Sequence, residues 1–410
     1  MFKKFIKLLI ALFVFSIIIF FFSKLTNISV HDEIIICIDP GHGGLPEYGN
    51  KDGGDNWYEP KKTFLNYYNY GGIFENIKEH EYVYELAILI KKYVEDLNTI
   101  TGYEEMRDFL KKHNIFLNSE KKKNFKVFLS RDNSAEVLNL TEKNVNRFYR
   151  TFDSPHKDKI FKGKLSRINS IKPHFTLSLH LNFVESEDYR GMLSFFAPSI
   201  ETFDYIIKNK ENRDILIENE FYSKWNVRSR SYAVEGFMIN DANTYFTGLK
   251  NDGRFIGRRN EMLTWKYDEE KLFKDREESI NEKMRRSGGY EGLGGDNLYF
   301  SNEILRYVSY FLNVEQNIDY NILEERASDF SVCIFNNSIT AALELGNIYS
   351  THDRKILLEN KENIAKYIAY GIFCVNTGIH KIEEESEKIM PYGKRIDLEK
   401  YGDYFKESVK

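Results

Sequence analysis

The chain has 410 residues, 58 Lys and Arg against 62 Asp and Glu, a net charge of −4 and a hydrophobic content of 42%. That length fits one large domain or two to three average ones, and that hydrophobic content excludes general disorder. The balanced charge argues against a nucleic-acid partner, and three cysteines exclude a disulfide framework or a multi-cysteine zinc module, so any metal must be held by His and carboxylates.

Residues 8–22 read LLIALFVFSIIIFFF, with Lys3, Lys4 and Lys7 before them and Lys24 after. The positive flank keeps the N-terminus in the cytoplasm and sends the rest across. Counted over residues 5–23, the run is long enough for an uncleaved inner-membrane anchor. A cleaved signal peptide is the rival, although no A-x-A-like site follows. A buried helix of a cytosolic protein is the bland alternative. Both favoured readings set residues 1–32 apart and place the rest outside the cytoplasm, in the periplasm or cell envelope, where few cysteines are the safe choice.

Residues 34–38 (IIICI) predict a strand buried on both faces, stopped by the turn Asp39-Pro40-Gly41. Residues 45–78 are rich in Gly, Asn and Tyr and predict a long loop. From Glu81, the positions Val83, Leu86, Ala87, Ile90, Val94 and Leu97 recur at helical spacing. Residues 125–130 predict a second strand and 165–171 a short helix. In 175–183, Phe175, Leu177, Leu179, Leu181 and Phe183 alternate with Thr176, Ser178, His180 and Asn182, the pattern of a strand with one apolar and one polar face. Residues 193–196 add a strand. Residues 199–301 are charged and Gly-punctuated without repeat or clear period, and read as an insertion. A helix resumes at Ile304, one or two strands occupy 332–345, and 354–374 form a final helix. The alternation predicts an α/β domain over 33–382 with a mostly parallel sheet flanked by helices, and a charged, peripheral tail over 383–410. Cys37, Cys333 and Cys374 fall in apolar runs and read as buried free thiols.

Four positions invite chemistry. His42, in DPGHGG, follows the first strand, where a tight turn aims it across the strand ends. His180 lies on the polar face of its strand and needs a partner there, as a hydrogen-bonded structural residue or as a ligand oriented by Ser178 and Asn182. Glu344, in ITAALELGN, is a carboxylate near the end of a buried strand, which is costly unless it is paired or functional. Glu81 opens a helix, where the dipole alone favours a carboxylate, with Glu79 and His80 as close competitors. In an open α/β sheet, ligands bind beyond the carboxyl ends of the strands. Two His and a carboxylate make a catalytic zinc site, and a further carboxylate serves as its base. HExxH, G-x-S-x-G and P-loop patterns are absent.

These pieces resemble the zinc-dependent N-acetylmuramoyl-L-alanine amidases of the type 3 amidase family. DPGHGG (39–44) is similar to the family's first zinc-histidine motif. EYVYELA (81–87) is similar to its second, in which a zinc-binding Glu precedes a Leu by five residues, a register that selects Glu81 over Glu79 and Glu85. FLSRD (128–132) resembles a strand ending in Thr-Arg, with Ser130 in place of the Thr. SRIN (166–169) resembles an Arg-x-x-Asn region one residue short. SLHLN (178–182) matches the Ser-x-His-x-Asn strand. ALELGNIYS (342–350) resembles the final strand with its catalytic Glu, with Asn347 where the family usually has Phe and Ser350 where it has Asn.

The resemblance implies Zn²⁺ on His42, Glu81 and His180, with Glu344 catalytic, and hydrolysis of the amide between N-acetylmuramic acid and L-alanine of peptidoglycan. The chain exceeds the usual family length in loops at 45–78, about 98–124, about 133–164 and 199–301. In some relatives an inserted helix near the last position blocks the zinc, a role open here to Glu218, Glu220, Glu235 or Asp241. Two alternatives stand beside the amidase: a regulated or inactive peptidoglycan binder, with 199–301 as a lid or a docking element for a regulatory protein, and a zinc amidohydrolase acting on another amide.

Overall fold

The computed structural model describes residues 33–43, 71–119, 122–133, 162–197, 199, 279–288, 290, 294–323, 325–327, 331–381 and 390–406, with short strands at 57–58, 63–64, 154–156, 159–161, 255–256 and 262–263. The segment 1–32, read as anchor or signal, lies outside these residues. So does most of 199–301, including Glu218, Glu220, Glu235 and Asp241. Among the described residues no helix is long and apolar enough to cross a membrane.

Six strands form the central sheet: β1 (Glu33–Pro40), β2 (Asn124–Leu129), β3 (Phe175–Asn182), β4 (Leu193–Phe196), β5 (Arg326–Ala327) and β6 (Ile339–Asn347). Their order is β5-β4-β6-β3-β1-β2. β2, β1, β3 and β6 run parallel, β4 is antiparallel to β6, and β5 is parallel to β4. The expected mostly parallel α/β sheet is therefore present. Eight helices are relevant: α1 (Glu79–Asp96), α2 (Ile100–Lys112), α3 (Lys164–Ile171), α4 (Ile280–Arg286), α5 (Gly295–Gln316), α6 (Ser331–Phe335), α7 (Thr351–Glu359) and α8 (Lys361–Thr377).

Register explains the two faces of the sheet. Ile36, Phe175 and Ile339 stand side by side, as do Ile38, Leu177 and Ala341. Because side chains alternate with period two, these rows point to one face. They join α1, α5 and α8 in one core, where the Phe175 and Phe300 rings lie 4.9 Å apart. The other face carries Cys37 beside Thr176 and Asp39 beside Ser178. It is buried as well: Thr176 and Ser178 are both 0% exposed. Thr176 bonds Ser338 at 2.7 Å, Ser178 donates to Asp39 at 3.1 Å, and Lys164, opening α3, reaches Asp39 at 3.2 Å. The polar half of the β3 alternation is a paired interior floor, as buried polar groups require.

Several elements differ from the sequence reading. The stretch near 98–124, read as loop, contains α2, capped by Thr99 accepting from Gly102 N–H and buried through Tyr103, Met106 and Leu110. The single helix expected over 354–374 is α7 followed by α8, broken at Asn360. Cys333 lies in helix α6 rather than in a strand, and all three cysteines are free and buried. The end of the 199–301 stretch, read as insertion, belongs to the packed domain: α4 is partly buried, and α5 begins at Gly295, where Gly294 takes φ 84°. Every residue of α5 from Gly295 to Leu305 is buried, so it shows no one-sided period to read.

The tail over 383–410 is not peripheral where it is described. Ile396, Leu398, Tyr401 and Phe405 enter the core. One stripe of α5 holds this segment. Asp296 accepts from Tyr401 Oη at 2.8 Å and meets Lys400 Nζ at 2.6 Å. Tyr299 Oη donates to Lys394 O at 2.8 Å, and Glu303 accepts the Tyr392 and Gly393 N–H groups at 2.6 and 3.2 Å. Isolated apolar residues in a charged stretch gave no period to read.

Burial pushes the Glu303 carboxyl up to about 7, against the Tyr392 and Gly393 amides and Arg306. A folded-state pKa above the unfolded value of 4.5 gives stability below that value, lost as pH rises toward 7. Urea midpoints across pH 4.5–7 are expected to show this loss, on the order of 2–3 kcal/mol, and Glu303→Gln should flatten it. An unchanged slope in Glu303→Gln would remove Glu303 as its source.

Candidate metal centre

β1 delivers His42 to the carboxyl edge of the sheet. Gly41 N–H donates to Leu179 O at 2.8 Å, extending the pairing one residue past the strand. A Cβ on Gly41 would collide with the His180 ring, so the turn needs glycine. His42 then takes φ 57°, a left-handed conformation uncommon for a non-glycine residue. β3 brings His180 beside it, with the two rings in an edge arrangement 4.8 Å apart. α1 begins at Glu79, which is 3% exposed.

The donors of these three residues form a triangle. His42 Nε2 lies 3.1 Å from Glu79 Oε1, His180 Nδ1 lies 3.1 Å from the same oxygen, and the two nitrogens are 3.2 Å apart. A tetrahedral zinc with ligands at 2.0–2.1 Å has ligand–ligand edges of about 3.3 Å. The three donors thus stand near the separations that one face of such a site requires, and they are the described cluster able to hold a metal. Two imidazole nitrogens and one carboxylate oxygen suit zinc chemically.

Glu79 is fixed before any ion arrives. Leu181 N–H donates to Oε1 at 3.0 Å and Gly72 N–H to Oε2 at 2.7 Å. Burial works against its charge, but His42 and His180 hold its carboxyl well below the usual carboxylate range. Burial, helped by His42, lowers the His180 pKa against Glu79 and Asp39, which favours the neutral imidazole that a metal needs.

Glu81, the expected ligand, is not brought to the cluster. It is 44% exposed and pairs with Lys78 at 2.8 Å. The reason is helical geometry. At 100° per residue, Glu81 is turned about 200° from Glu79 around α1. The apolar stripe Val83, Leu86, Ile90 extrapolates back by 4, 7 and 11 residues to position 79. That period was available in the sequence, and the five-residue spacing to Leu86 overrode it.

Arg131 was also missed as a site element. It is fully buried, with Nε donating to Pro40 O, Nη2 to Gly41 O and His80 O at 3.2 and 2.7 Å, and Nη1 to Asn133 O. It ties the His42 turn to the start of α1. The FLSRD motif was its only signal. Ser178 serves Asp39. Asn169 bridges Phe335 O and Asn337 N–H, away from chemistry.

Glu344 stands in lateral register with His180, one strand over and on the same face. It is 8% exposed, and its Oε2 is buried with no hydrogen-bond partner. Burial, reinforced by Glu79, raises its pKa well above the ordinary value, and Arg326 opposes this. The structure therefore gathers His42, Glu79, His180 and Glu344, and leaves Glu81 outside.

No protein-family model matches the chain, and no curated protein does. Among solved structures it is similar to the N-acetylmuramyl-L-alanine amidase Ami1 from Mycobacterium smegmatis, at 14% identity and TM-score 0.34 over 83% of this chain and 95% of that one. It is similar to the amidase AmiC2 of Nostoc punctiforme, at 12% and 0.31 over 83% and 95%. It is also similar to the CwlD amidase from Clostridioides difficile, solved with the GerS lipoprotein, at 14% and 0.31 over 83% and 96%.

Chelator-competition titration separates the two carboxylates. Glu79→Gln should weaken zinc binding by at least about 100-fold, and Glu81→Gln should leave it within about twofold. Arg131→Met should weaken it about 10- to 100-fold through loosened geometry. The reverse order of Glu79 and Glu81 would displace the triangle as the metal centre.

Proposed function

We propose that this chain is a zinc-dependent N-acetylmuramoyl-L-alanine amidase, hydrolysing the amide between N-acetylmuramic acid and L-alanine of the peptidoglycan stem peptide. The observation that carries the reading is the donor triangle of His42, Glu79 and His180 with Glu344 beside it. The donor set supports zinc. The substrate rests on the motifs that resemble the type 3 amidases in chain order, with Glu79 taking the carboxylate place. The reading puts the reaction outside the cytoplasm, with 1–32 as the export or anchor segment and 199–301 as the place for a regulatory protein.

A zinc ion held by the triangle supplies Lewis-acid polarisation of the amide carbonyl and a water that ionises near pH 7. The chain's own residues do the rest. His42 Nε2 and His180 Nδ1 would hold the ion, and the Glu79 carboxylate would balance part of its charge. Glu344 offers Oε2, free of hydrogen bonds, to take the water's proton. Its raised proton affinity suits a group that must hold that proton and then give it to the leaving amine of L-alanine.

Purified full-length protein is expected to clear peptidoglycan in a zymogram, to stop on chelation and to recover with zinc. Glu344→Ala should lower turnover by about 10²–10⁴-fold while zinc still binds. Mass spectrometry of the digest should show intact stem peptides with a free N-terminal alanine. Clearing that survives both chelator and Glu344→Ala would overturn the mechanism, and release of other fragments would overturn the substrate.

A further inference from the structure

β5 brings a cation to the same sheet face. Phe195 pairs with both Ala342 and Arg326, and Leu193 pairs with Glu344. Residues two apart share a face, so Arg326, Ala342, Glu344 and His180 all lie on one side. Arg326 is two strands from β6 and two residues short of Glu344, about 12 Å between Cα atoms at ordinary strand spacings. The long Arg and Glu side chains close most of that gap. Arg326 is only half-buried, and no described carboxylate lies within ion-pair distance of it.

Its guanidinium lies 5.4 Å from the centre of the Tyr189 ring. The Tyr189 hydroxyl is buried with no hydrogen-bond partner. Tyr189 is held from behind: Asn347 Nδ2 donates to Tyr189 O at 2.7 Å and also to Val184 O and Ser186 O. The following turn is tied by Asp353, which accepts Gly191 N–H at 2.8 Å. Asn347 occupies the position where the type 3 amidases usually carry Phe, and here it fixes the loop that presents Tyr189.

Arg326 makes no ion pair with a described residue, its charge reaching Glu344 only at longer range, and the Tyr189 hydroxyl makes no hydrogen bond; a carboxylate placed between them would satisfy both. We infer that Arg326 and Tyr189 form a subsite for a carboxylate in the peptide part of the substrate, two to three residues from the scissile amide. The distance follows from the reach of an extended peptide, about 3.3–3.6 Å per residue. The chemistry follows from charge: the sugar side offers neutral hydroxyls and amides near the bond, and the acidic stem peptide offers carboxylates. A guanidinium and a phenol satisfy a carboxylate with charge-assisted hydrogen bonds. This deepens the proposed amidase reading and rests on it for the substrate.

The test uses the full chain and two muropeptides, N-acetylmuramoyl-L-alanyl-D-glutamate and its α,γ-diamide, which has no carboxylate in the peptide part. The wild type should favour the acid by about tenfold in kcat/KM, carried by KM. Arg326→Gln should bring the ratio near one. Tyr189→Phe, which keeps the ring, should lower it about threefold without changing the urea midpoint. The same ratios should appear in calorimetric binding to zinc-loaded Glu344→Ala. Selective binding of the acid without any cleavage by the wild type would sink the amidase reading and keep the subsite. Equal affinity for acid and amide in the wild type would sink the subsite and leave the amidase reading intact. A loss in Arg326→Gln confined to kcat and equal on both substrates would assign Arg326 to Glu344 instead.

Discussion

The guanidinium of Arg131 lies fully buried among the carbonyls of Pro40, Gly41, His80 and Asn133, with the Tyr84 ring 5.1 Å away. A buried cation is costly unless polar groups surround it, and here backbone carbonyls do so. Those carbonyls belong to the turn that aims His42 and to the first turn of the helix that starts with Glu79. The carbonyls of the β1 turn point into the protein, and left alone they would each want water. One planar side chain satisfies them and sets the separation of the two segments. Lys would bring a compact charge without the fork that reaches three segments at once.

Beneath this clamp lies Asp39. It accepts from Ser130 and Ser178 and meets Lys164. Burial works against its ionised form, yet Lys164 and Ser130 hold its carboxyl below the ordinary value. Asp39 is one of the charges that pull the His180 pKa back up against burial. The polar face of the sheet is thus graded, with a paired, closed floor under the strands and open donor positions only at their carboxyl edge. That grading explains why His42 and His180 are partly exposed while Asp39 and Ser178, on the same face behind them, are not.

The sheet was legible because its strands carry their signal locally. IIICI, FTLSLHLN and ITAALELGN each show continuous burial or alternation, and His42, His180 and Glu344 could be placed from their position on them. Glu79 was misplaced by two residues because a motif spacing was preferred to the helix's own period. A shift of two is nearly harmless to a strand, whose period is two, but it turns a helix residue to the opposite side. Arg131 and the Arg326–Tyr189 pair were illegible for another reason. Their partners are backbone carbonyls and rings from segments far away in sequence, and no local pattern records them. The docking of 390–406 on α5 was illegible in the same way, since its anchors Glu303 and Asp296 precede their partners by 89 and 105 residues.

The strand order has a consequence for how the molecule comes together. β3 stands between β1 and β6, so the sheet is centred on a strand whose neighbours come from opposite ends of the chain. His42, Glu79 and His180 have all been synthesised by residue 180, and Glu344 arrives more than 160 residues later. A nascent chain therefore presents the His42, Glu79 and His180 donors well before Glu344. Until β6 slots against β3, the donor triangle stands without the Glu344 carboxylate beside it, and the candidate site is completed last.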